Sequence, residues 1–313
     1  MSSDDAYEQP GEPAQTGQPG QPGQPGQPGQ VPPRVAMLGL GSMNGAILSG
    51  LLASSVRRED VVATTRSAAT ARARAEEHGI TVLAEQETAE ANGIAVEQAD
   101  VVFLGVKPHG IVSLAESIAS RLRPGAVVVS VAAAIDLAML EGALAHGQPV
   151  IRSMPNTPLS VGLGVVGLVP GRHASAAHTR TVQTLLESCG AVHVIDESQI
   201  DALTGISGSG PAYAFYLAEQ MADAGVQLGL DRALAADLAA QTIYGAGRMM
   251  VQHQRAGTAD AAQLRRAVCS PNGTTERAID AFDEHGFAAA VSAAVEASAS
   301  RSAEITEELR TAE

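Results

Sequence analysis

Aromatic side chains are scarce: they make up 3% of the 313 residues, and tryptophan is missing altogether. Any core is therefore built from Val, Leu, Ile and the abundant Ala, whose high intrinsic helix propensity tilts the composition toward helix. Cysteine is rare as well. Cys189 and Cys269 stand alone without pair spacing, which excludes a disulfide framework or a cysteine-based zinc site and fits a reducing compartment. No apolar run approaches the ~18 residues that a membrane span needs, and no basic-plus-apolar leader is present. The expectation is a cytoplasmic protein with no membrane partner. Positive charge is short: 20 Lys and Arg against 34 Asp and Glu leave a net charge of −14. A nucleic-acid partner is excluded on that balance, because such proteins concentrate Lys and Arg. A single nucleotide is not excluded, since it needs only a few local donors. The eight histidines are scattered without ligand spacing, so no metal site is expected.

What is present falls into three parts. Residues 1–33 carry "TGQPGQPGQPGQPGQ", with glycine at a strict period of three from Gly17 to Gly29. So few triplets, with no other fibrous feature, predict a disordered, extended tail rather than a collagen-like helix. From residue 34 to 196, short β-rich runs alternate with amphipathic segments. Strands are predicted at 35–39, 61–65, 101–106, 127–131, 149–154, 164–169 and 192–195. Helices are predicted at 43–54, 68–78, 112–121 and 174–188. Near-continuous apolar strands separated by helices imply an α/β fold, a doubly wound parallel sheet covered on both faces. From 197 to 313 the strands stop and long Ala-rich helices follow, so a domain boundary is expected near 197. Some of these helices carry more apolar surface than one layer can bury, which points to dimerisation.

The first strand of "VAMLGLGSMNGAILSG" (residues 35–50) runs into Gly39-Leu40-Gly41-Ser42-Met43-Asn44 and then a helix. Gly39 permits a tight turn, and Gly41 lets backbone N–H groups approach a pyrophosphate at the helix start, where the macrodipole favours negative charge. Asn44 stands where a third glycine is usual, so a purely structural turn remains the alternative. The second strand ends in Thr64-Thr65-Arg66-Ser67 with no acid. A carboxylate there would repel a 2′-phosphate, whereas Arg66 offers a fork and the hydroxyls add donors, favouring NADP over NAD. The alternative is a solvated arginine. The strand at 101–106 leads through Val106 to Lys107-Pro108, which places Lys107 at the carboxyl edge where open α/β sheets bind ligands.

Three further stretches fit this frame: "RSMPNTPLSVGLGVVGL" from Arg152, "GISGSGPAYAFYLAEQMADAGVQLGL" from Gly205 and "SPNGTTERAIDAF" from Ser270. With "LGLGSMNGAIL" and "GVKP", in this order, they make the chain resemble pyrroline-5-carboxylate reductases from about Arg34 onward. Three departures stand out: Asn44 for Gly or Ala, Asn272 for Gly, and Ala134 for Gly. The resemblance implies a Rossmann-type domain followed by an all-helical dimerisation domain. It implies reduction of the cyclic imine L-1-pyrroline-5-carboxylate to L-proline with NADPH, NADH being possible. It also implies a homodimer or ring of dimers with a site shared across the dimer interface. Cofactor contacts would come from Gly39, Gly41, Ser42, Met43, Asn44, Arg66, Asn92, Val106, Lys107 and Pro108. The small-molecule substrate would be held by Ser270, Gly273, Thr274 and Thr275, with the Thr275 hydroxyl facing the ring nitrogen as the catalytic group.

That assignment suits the residues. An imine can arrive protonated, so no strong acid is required, and the sequence offers no catalytic His or Asp dyad. Free N–H groups of Gly273, Thr274 and Thr275 at a helix start near Thr274 would form an anion site. Without the resemblance, the same residues read as a helix cap. "SGSGPAY" fails the nucleophile-elbow pattern and reads as a packing element lining the substrate pocket. Cys269 has no His or acid partner indicated and reads as a small buried residue. The rivals are another NADP-dependent imine or hydroxyacid reductase and a non-catalytic NADP-sensing protein. Hydroxyacid enzymes of this design place a lysine early in the helical domain, and the segment 199–218 has none.

Overall fold

The computed structural model describes residues 32–54 and 56–312; residues 1–31 of the tail expected to be disordered lie outside the described residues. The chain proceeds through β1 (Val35–Leu38), α1 (Ser42–Ala53), β2 (Val61–Thr65), α2 (Ala68–His78), β3 (Thr81–Ala84), α3 (Ala91–Val96), β4 (Val101–Leu104) and α4 (Ile111–Ile118). It continues with β5 (Val127–Ser130), α5 (Leu137–Ala143), β6 (Val150–Pro155), β7 (Gly164–Pro170), α6 (Ala176–Leu186) and β8 (Gly190–Val194). The strands form one sheet in the order β3-β2-β1-β4-β5-β6-β7-β8. Because successive side chains alternate faces, each apolar strand feeds two cores. Val35 and Met37 pack with Ile47, Leu48 and Leu51 of α1 and with Val182 and Leu186 of α6. Ala36 and Leu38 pack on the other face, with Val96 of α3 and Ile111, Ala115 and Ile118 of α4. Full burial of each such Leu or Ile stabilises the fold by about 1.5–3 kcal/mol.

The sheet is not wholly parallel. β6 and β7 pair antiparallel, while β8 runs parallel to β7. Only residues 156–163 join β6 to β7, and a parallel crossover needs a dozen or more. α6 then supplies the crossover that returns β8 alongside β7. Three short elements, β3, α3 and α5, were also absent from the sequence-based assignment.

Helix dominates from residue 197 on. A 3₁₀ turn at Glu197–Gln199 leads into α7 (Ile200–Leu203), a π-helical turn at Thr204–Gly208 and α8 (Gly210–Gln227). α9 (Arg232–Ala256), α10 (Ala261–Ala267), α11 (Thr274–Glu284) and α12 (Phe287–Ala312) follow. α8 and α9 meet through small side chains, Ala222 against Ala235 and Ala239. α12 folds back onto α7 and the π turn. The Ser209 and Ser298 hydroxyls lie 2.7 Å apart, and Ser302 donates to Asp201 at 2.7 Å. A side chain on Gly205 would meet the Val295 carbonyl at 2.7 Å, so this small-residue stretch is a packing element.

Side chains also bind the helical half to the sheet. Asn156, after β6, donates to the Ser207 carbonyl at 3.0 Å and accepts from the Val165 N–H at 2.8 Å. Buried Arg152 donates to Glu197 at 3.1 Å. Arg310, near the end of α12, places Nε and a terminal guanidinium nitrogen each 2.6 Å from the buried Asp136 carboxylate, which also caps α5.

Candidate active site

β1 stops where Gly39 takes φ +79°. A Cβ there would lie 2.7 Å from Val106 Cγ1, so both the torsion and the close approach of β4 demand glycine. Nothing lies within 4 Å of a side chain built on Gly41, which leaves the approach to α1 open. No side chain caps this helix. The N–H groups of Ser42, Met43 and Asn44 therefore have no intrahelical acceptor and point out of the helix start, an arrangement suited to a pyrophosphate. A dinucleotide fits the residues present.

Behind the turn, Thr64 is fully buried; its hydroxyl accepts from the Gly39 N–H at 3.2 Å and donates to Asn92 Oδ1 at 2.7 Å. Asn92, on α3, is thereby fastened to the glycine turn. The Thr65 hydroxyl donates to the Ser67 carbonyl, and Ser67 caps α2 by accepting from the Thr70 N–H. The hydroxyl protons of Thr64 and Thr65 are thus committed inside the protein, whereas Ser67 accepts at the cap with its hydroxyl 2.8 Å from that of Thr70. Arg66 is exposed and makes no ion pair among the described residues. Lys107, the only lysine of the chain, follows the end of β4 in extended backbone, and Pro108 opens a 3₁₀ turn directly after it. Lys107 is exposed and forms no ion pair among the described residues.

Two departures from the family pattern share a backbone cause. Ala134 has φ +66° and Asn272 has φ +57°, and they are the non-glycine residues with positive φ among those described. Asn tolerates this left-handed region, whereas a Cβ-bearing Ala is strained there.

The "SPNGTT" loop opens α11 as expected, with Gly273 as N-cap. One expected donor is absent: the Gly273 N–H is bonded to the Ser270 carbonyl at 2.9 Å, because the loop closes on itself as a turn. Thr274 and Thr275 keep free N–H groups. Glu276 reaches back to accept from the Asn272 N–H at 2.7 Å, so a carboxylate already sits beside the helix mouth. The sequence reading missed it, although an acid at the third helical position is the usual reach-back pattern. Ser270 is exposed and Thr275 half-buried. Cys269 is half-buried rather than buried. Cys189 is the buried thiol: burial pushes its pKa up, and it packs under the Ile47 carbonyl, so it is a structural residue.

Among the described residues, the hydrogen bonds and ion pairs of Ser270–Thr275 stay within the loop and α11, and none reaches the sheet. No hydrogen bond among the described residues joins the glycine turn to the "SPNGTT" loop. A cleft of about 490 Å³ is lined by Leu137, Val169, Pro170, Val194 and Glu197 and includes none of the candidate site residues. No group of three or more His, Cys, Asp or Glu side chains that could hold a metal occurs among the described residues.

Comparison with known proteins bears directly on this geometry. A family profile described as pyrroline-5-carboxylate reductase dimerisation matches residues 197–305. A profile described as NADP oxidoreductase, coenzyme F420-dependent, matches residues 34–134. The pyrroline-5-carboxylate reductase of Pseudomonas aeruginosa is 42% identical over 278 residues, covering 88% of this chain and 98% of the relative. That of Mycobacterium tuberculosis is 39% identical, covering 87% and 96%. Among solved structures, the Coxiella burnetii enzyme superposes with a TM-score of 0.81 at 30% identity, covering 88% of this chain and 99% of that one. The Plasmodium falciparum enzyme with NADP bound gives 0.75 at 26% identity, covering 88% and 98%. With the glycine turn, the α11 loop and relatives matched over nearly their whole length, the chain belongs to the pyrroline-5-carboxylate reductase family.

Proposed function

We propose that this chain reduces L-1-pyrroline-5-carboxylate to L-proline, using NADPH and, as a second donor, NADH. The observation that carries this reading is the presence in one chain of two open helix starts: α1 behind the glycine turn and α11 behind the "SPNGTT" loop. The first suits a pyrophosphate and the second a small carboxylate. When bound by the glycine turn, a reduced nicotinamide nucleotide would supply the hydride for the imine carbon. The protein's task is to align the reactants and keep water out. The N–H groups of Thr274 and Thr275 hold the substrate carboxylate, and Ser270 adds a contact at the loop's outer side. The Thr275 hydroxyl faces the ring nitrogen, orienting the protonated imine and following its loss of charge. Gly39, Gly41, Ser42, Met43, Asn44 and Asn92 shape the nucleotide cradle, Arg66 meets the 2′-phosphate, and Val106, Lys107 and Pro108 border the nicotinamide end.

The chain divides at residue 197 into a nucleotide domain and a helical substrate domain. Because the α11 loop makes no bond to its own sheet, the site closes in a homodimer, with rings of dimers as the larger assembly. A cytoplasmic location agrees with the finding that no helix among the described residues is long and apolar enough to cross a membrane. The hydroxyacid reading has no support in the helical half, since the only lysine is Lys107.

The test follows loss of reduced-nicotinamide absorbance with pyrroline-5-carboxylate and with its six-membered homologue, using each nucleotide. Faster turnover of the five-membered ring is expected. Preference for the six-membered ring would reassign the substrate, and oxidation with neither would overturn the reading.

A further inference from the structure

Asn44 is completely buried on the first turn of α1. Its side-chain amide donates to the Leu38 carbonyl at 3.3 Å and the Gly39 carbonyl at 3.2 Å. Two acceptors on that side fix the NH₂ orientation, leaving Oδ1 buried with no donor from the protein. The carboxamide lies against Gly105, at the end of β4, and a Cβ on Gly105 would overlap it. Each carbonyl that Asn44 holds has another partner: Leu38 accepts from the Gly105 N–H at 2.8 Å, and Gly39 accepts from the Gly41 N–H at 2.8 Å. The amide is thus not needed to satisfy the backbone. What it adds is a second restraint on both peptide planes of the turn.

We propose that Asn44 is a positioning residue for the nucleotide, and that Gly105 lacks a side chain to accommodate it. By holding the Leu38 and Gly39 carbonyls inward, the Asn44 side chain keeps the N–H groups at the start of α1 turned toward the pyrophosphate without itself touching it. Where the third glycine of such a turn permits close packing by being small, this chain obtains the packing from an amide and places the missing side chain on the facing strand instead. The inference rests on the cofactor site described above.

Calorimetric titration of NADP⁺, with steady-state kinetics, tests it. Asn44→Ala removes two long hydrogen bonds, so the dissociation constant is expected to rise about tenfold, with kcat at saturating nucleotide within about twofold. Folding should change little, because the truncated group includes an unpaired oxygen. Asn44→Asp keeps the shape but turns a carboxylate toward two carbonyls, so it should bind more weakly than Asn44→Ala. Gly105→Ala should weaken binding in the natural background and do so less in Asn44→Ala, where the methyl enters vacated space. Unchanged binding in folded Asn44→Ala, or equal effects of Gly105→Ala in both backgrounds, overturns the proposal while sparing the cofactor reading. Failure of the unaltered protein to bind either nucleotide overturns both.

Discussion

Thr275 stands half-buried on the first turn of α11, where its N–H has no intrahelical acceptor. Thr275→Ala is expected to lower kcat about tenfold or more with nucleotide affinity unchanged, as befits an interaction made in the transition state. Unaltered kcat would remove Thr275 from the chemistry. Arg66 is predicted to discriminate between nucleotides. Hydrogen bonds to a charged group are worth about 1.5–3 kcal/mol, so Arg66→Ala should raise KM for NADPH by about 10- to 100-fold and leave NADH alone. Equal losses with both would assign it elsewhere. Ala134 offers a stability test. A left-handed alanine costs about 1–2 kcal/mol, and glycine returns about 0.5–1 kcal/mol of that as backbone entropy. Ala134→Gly should therefore stabilise the protein by up to about 1 kcal/mol, read as a higher denaturant midpoint at constant slope.

At the level of elements, legibility followed locality. β1, β2, β4 and β5 were readable because buried parallel strands are continuous apolar runs, and the glycine turn was readable because its residues are neighbours in sequence. β3 escaped notice because its four residues, Thr81–Ala84, are largely unburied at the sheet edge, so no apolar run announces it. α3 and α5 span only six and seven residues, too few for a helical period to register. The antiparallel turn into β7 follows from a short connection, yet nothing local says which neighbour β7 will choose. Least readable were the joints made by distant residues: Asn44 against Gly105, and Arg310 against Asp136, 174 positions apart. The latter fixes the last helix to the cap of α5. Asp136→Ala removes a cap worth about 1 kcal/mol together with the ion pair, so it should lower the thermal midpoint more than Arg310→Ala, whose half-exposed guanidinium is screened by water. Equal shifts in thermal melts would mean that the cap contributes nothing.

For the molecule as a whole, the apolar side chains left in water are where a second copy is predicted to pack. Phe215 and Tyr216 on α8 and Leu234 and Leu238 on α9 are between 47% and 67% exposed, far from the sheet's two cores. The combined change Leu234→Glu and Leu238→Glu should reduce the mass seen by light scattering and abolish turnover while nucleotide still binds. An unchanged mass would place the contact on other faces. The family resemblance assigns the site to two helix starts, and the fold adds that no hydrogen bond joins them among the described residues. With a single ε-amine in the whole sequence, exposed just past the end of β4, acylating dyes, resins and cross-linkers have one side-chain target. Because Lys107 is proposed to border the bound nucleotide, acylation of that one ε-amine should fall as nucleotide is added.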